Sequence, residues 1–233
     1  MLPGGDIIRC SGIIINPRVV LTAGHCVCTD HKDTALKPDI TSIIDNKECA
    51  QTATITTTLY NLQASGGETP ESSLSQTYTG KTQPHPDLRI LLDKAGAAIS
   101  VTADLALIIL DKTVQKEIPA IQLSATEIKL GDSITLAGYG HNATSGTIYG
   151  IRRFGTKRVR AFLNPETILL EQQDSEAFTT GSGEPCLRRE GKDMLIIGIT
   201  SRDINESPAF INTHTHRTWI HTEQQKATQH HNP

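Results

Sequence analysis

The chain has 233 residues and carries 22 Lys and Arg against 25 Asp and Glu, a net charge of −3 with a pI near 6.3. That balance supplies no basic field for nucleic acid or anionic lipid, and no stretch approaches the ~18 apolar residues that a helical membrane span needs. The length suits one large all-β domain or two small lobes with a buried core.

In chain order, short β-rich runs recur between Gly, Pro, Asn and Asp. They are "IIRCSGIII" (7–15), "RVVLTA" (18–23), "ATITTTLYNL" (53–62), "LALIIL" (105–110), "SITLAGYG" (133–140), "IYGIRRF" (148–154), "KRVRAFL" (157–163) and "MLIIGIT" (194–200). Many short strands without a long helical period predict an all-β sandwich or a pair of barrels. Residues 28–50, bracketed by Cys28 and Cys49, and the Ser, Gly, Thr and Pro-rich residues 64–87 read as surface loops. The basic run "IRRFGTKRVR" (151–160) reads as a strand with one solvated face rather than a nucleic-acid patch. One helix is expected around 213–225, with Thr213 as its cap and Trp219 and Ile220 docking it on the body. Residues 222–233 are polar, lack an apolar period and are expected to be disordered.

The segment "VVLTAGHCV" (19–27) sets a histidine beside a cysteine at the end of a strand-forming run. Two chemistries fit that placement. His25 is a catalytic base fixed by a neighbouring disulfide, or Cys26, Cys28, His31 and Cys49 form a metal cluster with a C-x-C-x₂-H core. The cluster departs from the usual zinc-ligand spacings and leaves two other segments unexplained. Asp104 immediately precedes the continuous apolar run "LALIIL", where a carboxylate is shielded from water yet able to accept from an imidazole N–H. Ser182 lies in "TTGSGEPC", flanked by glycines that let a substrate approach and let backbone N–H groups face a developing oxyanion.

Together these blocks resemble the trypsin-like (chymotrypsin-fold) serine proteases. "CSGIIINPRVVLTAGHC" (10–26) is similar to the family's histidine block, "DLALIIL" (104–110) to its aspartate block, with His85-Pro86 ahead of it, and "GYG" (138–140) to its glycine turn. "TGSGEP" (180–185) is similar to the nucleophile block, "GITS" (198–201) to the substrate-flanking block, and Trp219-Ile220 to the closing helix. The resemblance implies two packed six-stranded antiparallel β-barrels and a C-terminal helix, the first barrel spanning about 1–120 and the second about 121–221. It implies His25, Asp104 and Ser182 as catalytic residues and the N–H groups of Thr180 and Ser182 as an oxyanion hole. It also implies Ser201 pairing with substrate backbone and Glu176 at the base of the specificity pocket, favouring Arg or Lys. A Cys10–Cys26 disulfide beside His25 follows from it. A second bridge, Cys28–Cys49, and a buried free Cys186 are then expected.

The implied activity is a serine endopeptidase working through an acyl-enzyme on a protein or peptide substrate, as a monomer, without cofactor, metal, nucleic acid or membrane. Disulfides imply a secreted or periplasmic setting, although "MLPGGDIIRC" shows neither the basic start nor the apolar run of a secretory signal. Several positions depart from the family pattern. Gly181 replaces the Asp before the nucleophile, and no Ile-Val-Gly-Gly segment precedes Cys10 to pair with such an Asp. Thr180 and Glu184 replace glycines, Phe178 replaces a cysteine, and the nine residues before Cys10 are too few for the family's first strand. These departures motivate an alternative: a pseudoprotease that keeps the fold and cleft as a protein- or peptide-binding module.

Overall fold

The computed structural model describes residues 8–33, 39–60, 73–139, 152–171 and 181–229. In the first half the strands are β1 (Ile13–Asn16), β2 (Val19–Thr22), β3 (Cys28–His31), β4 (Ser42–Cys49), β5 (Thr52–Tyr60), β6 (Ser73–Pro84), β7 (Arg89–Leu92), β8 (Ala98–Thr102) and β9 (Ala106–Leu110). In the second half they are β10 (Ser133–Gly138), β11 (Arg153–Phe162), β12 (Thr167–Leu170), β13 (Pro185–Glu190), β14 (Asp193–Thr200) and β15 (Ala209–Asn212), before one helix, α1 (Arg217–Gln229).

The second half closes into a six-stranded antiparallel barrel in the order β10-β11-β12-β15-β14-β13. The first half forms a five-stranded sheet, β1-β2-β9-β6-β5, and a four-stranded one, β3-β4-β7-β8. The expected two-lobed all-β architecture holds, but the ladders of the first lobe do not join into one closed ring among the described residues. Its two sheets instead share a core, where Ile44, Ile90 and Leu92 meet Val20, Leu21 and Leu105.

Strand β9 sits between β2 and β6, and four of its five side chains are buried, which is why its sequence is a continuous apolar run rather than an alternating one. Residues 28–50 and 64–87, read as loops, contain β3, β4 and β6. Strand β6 is Thr- and Gln-rich because much of it faces water. It pairs with β5 over nine positions and buries Tyr78 on its inner side. The two runs around 148–163 form one strand, β11, as far as they are described. Its outer face carries Phe154, Arg158, Arg160 and Phe162, while Lys157 and Val159 point inward.

Helix α1 docks through buried Ile220 and Ala227 and reaches the first lobe, with Gln224 Nε2 donating to the Ile15 carbonyl at 2.9 Å. It extends through Gln229, taking in residues 222–229 of the expected tail; residues 230–233 lie outside the described residues. Thr213 lies four residues before the helix and does not cap it, because its hydroxyl turns toward the Ile196 carbonyl at 3.5 Å.

Both expected disulfides are present. Cys10–Cys26 ties the segment before β1 to the short turn that follows β2, and Cys28–Cys49 bridges register partners of β3 and β4. Replacing Cys10 and Cys26 together by Ser is expected to lower unfolding free energy by roughly 3 kcal/mol, the loop-entropy value for a ring of this size. Denaturant titration of the double variant under non-reducing conditions checks this.

Candidate active site

His25 lies in a single 3₁₀ turn, Gly24–Cys26, that follows β2. The turn forms because the chain leaves a strand buried along its whole length and closes at once, with Val27 N–H donating to the Gly24 carbonyl at 3.0 Å. Asp104 sits between β8 and β9 and is completely buried. Its Oδ1 accepts from the backbone N–H of His25 at 2.8 Å, and its Oδ2 lies 2.7 Å from His25 Nδ1. A third bond comes from the second lobe, where the Ser201 hydroxyl, just past β14, donates to Oδ2 at 2.5 Å.

Burial alone would raise the pKa of Asp104, but the charge and hydrogen bonds of His25, together with Ser201, outweigh it and hold the carboxyl below the ordinary range. An ionised Asp104 only accepts, so Nδ1 carries the proton of the neutral ring and Nε2 presents a lone pair. Nε2 is buried and, among the described residues, has no hydrogen-bond partner.

Ser182 lies in the turn before β13. Its carbonyl accepts from Ser11 N–H at 2.9 Å, and the next N–H, that of Gly183, donates to the Thr200 carbonyl at 3.1 Å. Gly183 has φ +77°, and a Cβ there would collide with the Ser11 carbonyl and the Thr22 hydroxyl and lie 3.4 Å from the Ala23 nitrogen. Only glycine lets this loop press against the end of β2, three residues from His25. Thr200 stitches the same loop: its hydroxyl accepts from Glu184 N–H at 2.8 Å and donates to the Gly181 carbonyl at 2.6 Å.

Residues 4–220 match the model of the family described as Trypsin. This chain belongs to the trypsin family. It therefore has the serine-protease fold and is of the serine-peptidase type. No curated protein matches it. Among solved structures it is similar to one titled "Structure of GrC", with 18% identity, a TM-score of 0.62, and coverage of 95% of this chain and 89% of that one. Among the described residues, no helix is long and apolar enough to cross a membrane.

Within this trypsin-family chain, His25 and Asp104 meet as expected, and the loop carrying Ser182 packs beside them. Among the described residues, the Ser182 hydroxyl itself makes no hydrogen bond. Thr180, Glu176 and Phe178 lie outside the described residues. Ser201, expected to pair with substrate backbone, also directs its hydroxyl at Asp104. The sulfurs of Cys26, Cys28 and Cys49 are committed to disulfides, and His31 Nε2 pairs with Asp45 Oδ1 at 3.0 Å, so the alternative metal cluster is not assembled. Glu184 turns inward, fully buried, over Gly138, where a Cβ would strike its side chain. Cys186 is a buried free thiol, as expected.

The sequence reading missed a group behind Asp104. His216 is buried, with Nε2 2.8 Å from Glu166 Oε2 and Nδ1 3.2 Å from His85 Nε2. Trp219 stacks obliquely on His85 with ring centroids 4.5 Å apart. The signal was the His85-Pro86 pair. Its partner in the Thr- and His-rich segment before α1 gave no apolar pattern to suggest burial.

Burial, and then the charge of His216, push His85 down to about 4 from its ordinary 6.5. Between those values the unfolded chain binds a proton that the folded one refuses, so stability rises with pH across that window. The thermal midpoint is expected to hold above about pH 6.5 and to fall as pH drops toward 4, with a smaller fall in His85→Asn. Melting curves at several pH values measure both slopes. Thr200→Val should cost about 1–3 kcal/mol by leaving a buried N–H unpaired. Chemical denaturation should register that loss, whereas Thr200→Ser should retain near wild-type stability.

Proposed function

We propose that this chain is a serine endopeptidase that hydrolyses peptide bonds through an acyl-enzyme intermediate. The observation that carries the reading is the state of His25: Asp104 grips its Nδ1 and its backbone N–H, while Nε2 is left buried with its lone pair unused. An imidazole held so tightly on one side and open on the other suits a general base.

In this reading Ser182 Oγ attacks the scissile carbonyl carbon as its proton passes to His25 Nε2. The backbone N–H groups of Ser182 and Thr180 stabilise the resulting oxyanion. The C–N bond then breaks, His25 returns the proton to the departing amine, and the acyl group remains on Ser182. Water repeats the cycle, giving its proton to His25 and releasing the acid and the free serine. Asp104 stays ionised throughout and stabilises the imidazolium. Ser201 pairs with substrate backbone beside the cleft, and Glu176 at the pocket base favours Arg or Lys.

The absent Asp before the nucleophile fits a loop ordered by other means, since Thr200 and Ser11 already bind its backbone. The same contacts support a loop that needs no freed N-terminus to take shape. Two disulfides favour an oxidising compartment, secreted or periplasmic, with the chain acting as a monomer.

A second reading, a pseudoprotease that binds proteins or peptides, draws on the Ser182 hydroxyl, which has no hydrogen bond to His25 Nε2. A fluorophosphonate probe separates the two. Covalent labelling of the wild type and none of Ser182→Ala is the expected result. Well-folded wild-type protein that remains unlabelled would favour the binding module.

A further inference from the structure

Asp104 is delivered to His25 by an unusual piece of backbone. Ala103, the residue before it, has φ +46°, a left-handed conformation that a residue with a Cβ adopts at a cost. The chain reverses tightly here, with Leu105 N–H donating to the Ala103 carbonyl at 2.7 Å. Such backbone persists only where its surroundings over-determine it.

Those surroundings come from the second lobe. Glu166, in the turn between β11 and β12, accepts the Ala103 N–H on Oε2 at 3.3 Å, and the same oxygen lies 2.8 Å from His216 Nε2. The turn is fixed by Asn164, whose Oδ1 accepts from the N–H groups of Glu166 at 2.9 Å and Thr167 at 2.8 Å. Thr167 then docks on β8, its hydroxyl donating to the Val101 carbonyl at 3.1 Å.

The histidines give Glu166 a direction. Asp87 N–H can only donate, so His85 Nδ1, 3.1 Å away, accepts and the proton of His85 sits on Nε2. Nε2–H donates to His216 Nδ1, which leaves His216 Nε2–H for the Glu166 carboxylate. This assignment follows from the bonding network. Every donor is spent in one line that starts beside the first lobe's Pro86 and ends on the carboxylate holding Ala103. The line borders a cleft of about 590 Å³ whose walls include Asp87, Thr102 and Glu223.

We propose that Glu166, aimed by the His85–His216 pair, is a positioning residue whose carboxylate clamps the left-handed Ala103 turn and so sets the aim of Asp104 at His25. The inference rests on the protease reading only in naming the consequence for turnover; the clamp itself is a matter of geometry.

Glu166→Ala removes the clamp, whereas Glu166→Gln keeps an oxygen able to accept both N–H groups. Two measurements test the pair. The rate of fluorophosphonate labelling per folded molecule is expected to drop between about tenfold and a hundredfold in Glu166→Ala, the scale of a small misplacement of a reacting group, and to return close to wild type in Glu166→Gln. In proton NMR, the low-field signal of the proton between His25 and Asp104 should be sharp in wild type and Glu166→Gln and broadened or lost in Glu166→Ala. A Glu166→Ala protein with a lowered melting temperature but an unchanged labelling rate and low-field signal would overturn the proposal. Should the wild type not label, the protease reading fails alone, and the NMR signal still decides the clamp.

Discussion

One buried carboxylate organises this molecule. Asp104 is removed from water completely, which would be costly for an anion left alone, and three donors from two distant stretches of chain surround it. Two come from His25, just past β2, and one from Ser201, just past β14. The carboxylate therefore fixes the orientation of a ring within its own lobe and also binds the two lobes together. Any change that moves one lobe against the other must break a charge-assisted bond in a dry site, where such bonds are strongest.

The same economy governs the loop around Ser182. Its backbone is held by Ser11, ahead of β1, and by Thr200 at the end of β14, the strand paired with β13. Gly183 makes the close approach possible because its missing Cβ leaves room for β2. Thr200 and Ser201 are adjacent, one tying the Ser182 loop and the other Asp104. A single strand end thus serves both halves of the site.

Much of this was legible in the sequence, and the physics explains what was not. The apolar runs of β2, β9 and β14 stood out because those strands are buried, and the blocks around His25 and Asp104 carried the site residues in recognisable surroundings. Strands β4 and β6 were hidden because pairing in a partly solvated sheet asks for hydrogen-bonded backbone, not apolar side chains, so polar composition masqueraded as loop. The line from His85 to Glu166 was hidden for a different reason. Its members lie far apart in the chain, and a buried histidine satisfied by another histidine leaves no periodic trace. Ser201 was found as a position but not as an Asp104 partner, since only the folded chain brings β14 to the carboxylate.

Cys186 lies entirely inside the second barrel, and burial, with Glu184 nearby, pushes its thiol well above the ordinary range. Disulfide exchange requires a thiolate that can reach a sulfur, and this one is both protonated and enclosed. Closure of the barrel therefore protects the two bridges from the fifth cysteine. Until that closure all five sulfurs compete, so correct oxidation of this chain depends on the second lobe folding before the wrong pair forms.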